Sequence, residues 1–176
     1  RPLGAVYQTT VPRELRRLFA KRTIDLIGSL FALVLLSPLI LVAMALVKLT
    51  SPGPALYKQT RIGLRGREFT LLKLRTMRRD AEGQQMRIQH LNEADGPVFK
   101  VRDDPRITRL GRLMRRTSID ELPQLINVLF GEMSLVGPRP ARPREVQRYE
   151  SWHHHRLAMK PGITCLWQVS GRSNLP

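Results

Sequence analysis

Between Leu30 and Val47 every side chain is apolar except Ser37, and Pro38 follows that serine directly. Eighteen residues at about 1.5 Å each rise roughly 27 Å, close to the roughly 30 Å hydrocarbon thickness of a bilayer. In lipid such a run must be helical, because no water is present to satisfy its backbone groups. Both flanks are basic: Arg16, Arg17, Lys21 and Arg22 precede the run, and Lys48, Lys58, Arg61, Arg65 and Arg67 follow it. The positive-inside rule therefore selects neither end. One resolution keeps both ends on the cytoplasmic side, with the helix entering the bilayer, bending at Ser37-Pro38 and returning. Proline removes a backbone hydrogen bond and crowds the preceding turn, and the Ser37 hydroxyl is a nearby partner for the freed carbonyl. The alternative is an ordinary spanning helix with a modest kink. A cleaved signal peptide fits poorly, since no small-residue cleavage site follows and basic sequence continues.

The run leaves roughly 130 residues after it, enough for one modest core. The net charge of +16 has three common explanations: anionic headgroups, nucleic acid or phosphorylated substrates gripped by arginine. Nucleic acid is disfavoured by the low aromatic content of 6%, the absence of a recognisable motif and the apolar anchor. A single cysteine, Cys165, excludes an internal disulfide framework and fits a reducing compartment. The chain opens at Arg1 without methionine and stops at Pro176, as expected of a fragment of a larger protein.

Residues 1–12 read as a loose lead-in and Glu14–Arg22 as a charged, helix-compatible interfacial segment. Ser51-Pro52-Gly53-Pro54 is a strong breaker. Ala55–Gln59 and Glu68–Leu74 read as strands of a hairpin turned at Gly63–Gly66. Arg78–Leu91 reads as an exposed helix and Asn92–Pro105 as a loop. Arg106–Arg116 reads as a short helix, and Leu122, Leu125, Ile126 and Leu129 carry the spacing of an amphipathic helix that Gly131 ends. Arg144–Leu157 reads as helix and Thr164–Val169 as a final strand. No G-x-G-x-x-G motif opens a βαβ unit and no P-loop is present.

The best candidate for chemistry is Arg115-Arg116-Thr117-Ser118-Ile119-Asp120-Glu121-Leu122-Pro123. Ser118 and Glu121 have capping-box spacing ahead of the amphipathic helix, and Pro123 is tolerable in a first turn. Adjacent carboxylates there sit in the positive end of the helix dipole, among arginines that favour their ionised form. An ionised carboxylate can act as a nucleophile or hold Mg²⁺, which takes one or two carboxylates and keeps its other positions for water and phosphate. The bland alternative is a helix cap with surface charge. Pro138-Arg139-Pro140 presents an arginine from a stiff loop, suited to a bidentate grip on phosphate. Lys73 and Arg75 share one face of a strand. His153-His154-His155 cannot all face one point on a helix and read as surface histidines.

Together these elements resemble the bacterial sugar transferase family, the polyprenyl-phosphate hexose-1-phosphate transferases or monotopic phosphoglycosyl transferases. The resemblance runs from about Lys21 to Pro176. It is carried by Lys21-Arg22-Thr23-Ile24-Asp25, Ser37-Pro38, Ser51-Pro52-Gly53-Pro54, Lys73-Leu74-Arg75-Thr76-Met77 and Asp104-Pro105-Arg106-Ile107-Thr108. It continues in Arg116 through Leu125, Met133 through Pro140, Lys160-Pro161-Gly162-Ile163-Thr164 and Trp167-Gln168-Val169-Ser170-Gly171-Arg172.

The resemblance implies an α+β chain with three parts. Residues 1–22 would be the interfacial lead-in and 23–50 a re-entrant membrane helix broken at Ser37-Pro38. Residues 51–176 would be a small, mostly helical catalytic domain with a short β-hairpin, on the cytoplasmic face of a bacterial inner membrane. It implies that Asp120 is a nucleophile that attacks the sugar-bearing β-phosphate of a UDP-sugar, releases UMP and passes the phosphosugar to undecaprenyl phosphate. That is the first membrane step of exopolysaccharide or O-antigen type assembly. Glu121, with Asp120, would hold Mg²⁺. Arg115 and Arg139 match positions tied to phosphate or nucleotide binding, and Lys73, Arg75, Gln168 and Arg172 are further substrate-binding candidates. The implied partners are the UDP-sugar, undecaprenyl phosphate and membrane lipids, without nucleic acid; a homodimer would be unsurprising. Two departures stand out: Cys165 occupies a position usually held by glycine, and the C-terminal helical portion typical of the family does not follow. Three rivals stay open: direct transfer with both acids binding only metal, a membrane-anchored scaffold without catalysis, and a basic nucleic-acid binder.

Overall fold

The computed structural model describes residues 12–81, 83, 84, 101 and 104–165. Gln168, Arg172, residues 1–11 and most of the expected helix 78–91 and loop 92–105 lie outside these.

Helix α1 spans Pro12–Thr50. The expected lead-in from residue 12 onward and the membrane segment are thus one element, which runs through Pro38. Pro38 has no N–H to give the Val34 carbonyl, and the Ser37 hydroxyl donates to that carbonyl instead, at 2.8 Å. The helix therefore keeps its backbone satisfied without water at this point. It is the one described element long and apolar enough to cross a membrane.

Asp25, Ser29, Ile40, Ala43 and Val47 are buried, with Ala32, Leu33 and Leu36 half-buried between them. Steps of three and four residues make these a single stripe. On the other faces Leu30, Phe31, Val34 and Leu35 are 54%, 68%, 67% and 63% exposed. An apolar surface this large on a helix of this length is of the kind a bilayer covers.

Strands β1 (Leu56–Ile62) and β2 (Glu68–Leu74) pair antiparallel, Tyr57 opposite Lys73 and Gln59 opposite Leu71. The hairpin turn matches the expected Gly63–Gly66 position; Arg65 and Gly66 take left-handed φ of 56° and 77°. Helix α2 (Arg109–Thr117) starts from Thr108, whose hydroxyl accepts from the Gly111 N–H. A 3₁₀ turn, Ile119–Glu121, leads into α3 (Gln124–Phe130), which ends at Gly131 with φ of 82°.

The expected Ser118–Glu121 capping box does not form. Ser118 is left-handed, with φ of 60°, and closes α2 through its own N–H to the Arg115 carbonyl. Its side chain makes no cap bond to the following turn.

The expected helix 144–157 is also corrected. It divides into a four-residue α4 (Pro143–Val146) and a 3₁₀ stretch, Ser151–Ala158. In that stretch His153 stacks between Trp152 and Tyr149, with centroids 3.6 and 5.2 Å away.

Two short strands, β3 (Ser134–Val136) and β4 (Gly162–Thr164), pair in parallel. Between them Gly137 and Gly162 cross backbone on backbone, so closely that neither has room for a Cβ.

Two apolar clusters join these pieces. Ala43 and Val47 of α1 pack with Ala55, Leu74 and Met114. Phe69 and Leu71 of the hairpin pack with Val128 and Met133.

Both ends of α1 are tied to this one folded unit. At the N-terminal end, Asp25 accepts hydrogen bonds from Lys21 at 2.8 Å, the Ser134 hydroxyl at 3.1 Å and the Leu135 N–H at 3.1 Å. Arg22 donates to the Val128 and Leu129 carbonyls at 2.6 and 2.8 Å, a cation at the negative end of α3. At the C-terminal end, the Arg75 guanidinium donates to the Pro52 and Ser51 carbonyls at 2.9 and 2.7 Å, and to the Ser51 hydroxyl at 2.9 Å.

Candidate active site

Alternation along a strand sends every second side chain to one face. Tyr57, Gln59 and Arg61 on β1, with Leu71 and Lys73 on β2 and Arg75 just past its end, all line one cleft of about 640 Å³. Arg115, Ser118, Asp120, Glu121 and Gln124 line it too, Glu121 reaching across to Lys73, and Arg139, Pro140 and Arg142 line it beside Arg61.

Asp120 lies in the 3₁₀ turn between α2 and α3, and only 5% of it is exposed. Burial pushes its carboxyl up to about 6, and the charge of neighbouring Glu121 adds to this; Lys73 and Arg115 pull the other way. Near neutral pH the group is mostly ionised but poorly solvated, which suits a nucleophile. Glu121 pairs with Lys73 at 2.8 Å. Arg115 donates from Nε to the Thr76 hydroxyl at 2.9 Å and faces the charge of Asp120.

Asp120 and Glu121 are two carboxylates on one wall, and no group of three or more metal-binding side chains occurs among the described residues. That donor set fits Mg²⁺, which completes its shell with water and phosphate oxygens.

Of the residues singled out in the sequence, Lys73, Arg115, Asp120, Glu121 and Arg139 meet in this cleft. Arg75 also borders it, but its NH1 and NH2 groups are bonded to Ser51 and Pro52, so it fastens the end of α1 to β2. Cys165 borders the cleft as well. Arg61 and Arg142 were not singled out. The signal for Arg61 was present: it follows Tyr57 and Gln59 at steps of two on a strand facing Lys73.

The bacterial sugar transferase family profile matches residues 16–176. The chain belongs to the bacterial sugar transferase family. The galactosyl transferase CpsE from Streptococcus agalactiae is 47% identical over 160 residues, covering 90% of this chain and 35% of CpsE. The exopolysaccharide production protein ExoY of Sinorhizobium fredii is 41% identical over 160 residues, covering 89% and 71%. The UDP-glucose:undecaprenyl-phosphate glucose-1-phosphate transferase of Caulobacter vibrioides is 46% identical over 156 residues, covering 86% and 54%. The chain thus spans about a third of CpsE and most of ExoY. The acidic turn, the arginine-lined cleft and the apolar run Leu30–Val47 all fall inside the matched region.

Proposed function

We propose that the protein transfers a hexose-1-phosphate from a UDP-sugar to undecaprenyl phosphate through a covalent intermediate on Asp120. One observation carries the reading: a buried, ionisable carboxylate in a basic cleft of a sugar transferase, beside a helix that needs lipid. A carboxylate oxygen of Asp120 attacks the β-phosphorus of the donor. The bond from that phosphorus to the bridging oxygen breaks, and UMP leaves with the electron pair. An oxygen of undecaprenyl phosphate then attacks the acyl phosphate, the bond to Asp120 breaks, and the carboxylate is restored as the lipid diphosphosugar forms. Arg115 and Arg139 would hold phosphate oxygens, and Lys73 would add a mobile positive charge once released from Glu121. Mg²⁺ on Asp120 and Glu121 would neutralise charge on the phosphate oxygens.

The test is intact-mass spectrometry after exposure to each UDP-sugar without acceptor. The expected result is a gain of one hexose phosphate, discharged when undecaprenyl phosphate is added. Acceptor glycosylation with no adduct at any time would favour direct transfer and sink the covalent step.

The same proposal places α1 as a re-entrant helix in the bacterial inner membrane, with both limbs and the catalytic domain on the cytoplasmic face. The two tethered ends support this, because one folded unit cannot lie on both sides of a bilayer. The Ser37 bond to Val34 supports a bend within lipid. Single cysteines near Lys21 and Ser51, in a Cys165→Ser background, are expected to react with an impermeant thiol reagent from the same face. Labelling from opposite faces would establish a spanning helix instead.

A further inference from the structure

The arginine end of the cleft holds three guanidiniums, Arg61, Arg139 and Arg142, around one buried carboxylate, Glu145. Glu145 is 3.5 Å from Arg139 and 4.0 Å from the Arg142 Nε. It also accepts from the Arg142 N–H at 3.0 Å. Arg61 lies deepest, 5% exposed. Its NH1 donates to the Pro140 carbonyl at 2.9 Å and its NH2 to Gln59 at 2.6 Å. Its Nε is buried with no hydrogen-bond partner among the described residues. Burial lowers its pKa to about 10, with Arg142 and Arg139 the next causes, so the group stays charged but under electrostatic load.

The loop bearing Arg139 cannot fasten itself. Pro138 and Pro140 have no N–H, so it is held through its carbonyls. The Gly162 N–H bonds the Pro138 carbonyl at 2.9 Å, and the Ile62 N–H bonds the Ala141 carbonyl at 2.9 Å. Arg61 bonds the carbonyl between them, that of Pro140. It is the one side-chain tether among these three, and it brings a charge to the back of the loop. Two effects follow. Arg139 is fixed in aim, and an excess of two positive charges faces the cleft, which an entering anion relieves.

We infer that Arg61 is a positioning residue, which holds the Pro138–Ala141 loop and sets the potential there so that Arg139 grips a phosphate of the sugar-nucleotide donor. This rests on the donor reading above. Arg61 acts through the loop rather than at the reacting phosphorus, so its loss should weaken donor binding more than turnover.

The experiment uses the full chain in nanodiscs with Arg61→Gln and Arg61→Lys. It reads the unfolding midpoint, the Kd for UMP, the Kd for inorganic pyrophosphate, and the KM and kcat for the UDP-sugar. For Arg61→Gln we expect a wild-type midpoint, at least tenfold weaker UMP binding and a matching rise in KM, with kcat changed less than KM. Arg61→Lys should recover part of the binding. Unchanged UMP affinity in a folded Arg61→Gln protein overturns the inference, as does a fall in kcat with KM and Kd unmoved. If Arg61→Gln fails to fold, Gln59→Leu, which removes the second anchor of Arg61, should raise KM about threefold, and no change there overturns it too. Pyrophosphate binding that depends on Arg61, in a wild-type protein that binds neither UMP nor UDP-sugar, would uphold the positioning role and discard the donor reading. A wild-type protein that binds none of these anions would overturn the inference itself.

Discussion

Asp120→Asn is expected to abolish turnover and to make the protein more stable. The first effect follows from the proposed chemistry, since an amide cannot form the acyl phosphate; loss of a nucleophile costs on the order of 10³-fold or more. The second follows from burial. The folded protein holds the Asp120 carboxyl at about 6, above the usual 3.8. Between those two values the native state keeps a proton that the unfolded chain has lost, so stability falls as pH rises through the window. Above about pH 6 the full penalty applies, of order 3 kcal/mol at about 1.4 kcal/mol per unit. Asparagine is never charged and avoids it. At pH 7.5 in EDTA the variant should therefore unfold several degrees higher than the wild type, at about 2–4 °C per kcal/mol for a chain of this size. The gain should vanish near pH 4. Calorimetry or thermal scanning across that range, alongside UMP release, gives both answers. Retained turnover would remove Asp120 from the nucleophile's role, and a lower midpoint at pH 7.5 would remove the burial penalty.

Asp25→Leu should have the opposite profile, with stability lost first and activity following. The buried carboxylate accepts from the half-exposed Lys21 ammonium, the Ser134 hydroxyl and the Leu135 N–H. Leucine leaves the Leu135 N–H and the Lys21 ammonium without their acceptor. Losing these bonds and leaving the Leu135 N–H without its acceptor costs about 2–3 kcal/mol, which corresponds to a midpoint lower by roughly 5–10 °C. Asp25→Asn keeps part of the hydrogen bonding and should fall between. An unchanged midpoint for Asp25→Leu in nanodiscs would mean that the first limb of α1 is held by lipid alone.

How far the sequence discloses this molecule depends on the length of each pattern. The apolar run, the hairpin and α3 were legible because each repeats its period at least twice. Strands β3 and β4 were not, since three residues are too few to show alternation and their pairing links positions far apart in the chain. The helix expected over 144–157 failed because polar residues of fair helix propensity say little without an apolar stripe to bury; the chain there follows ring stacking around His153 instead. Ser118 misled for a different reason. Its spacing to Glu121 is that of an N-cap, yet the preceding helix claims it as a left-handed terminus, and that turn is what swings Asp120 inward. Asp120, Glu121, Lys73, Arg115 and Arg139 were legible as chemistry, since each had a motif around it. Arg75 looked equivalent to Lys73 on the same strand face, but the breaker at Ser51-Pro52 takes up its donors, a fact of tertiary packing that spacing does not record.

The sharing of Ala43 and Val47 between the apolar helix and the core of the folded unit has a consequence for how such a protein can be regulated. An anchor on a linker can be clipped, leaving a working enzyme free to diffuse. Here the anchor is also a wall of the building. A nick that released it would strip cover from Ala55, Leu74 and Met114 at the same stroke. Loss of the apolar helix and loss of the fold are therefore expected to be a single event, not two.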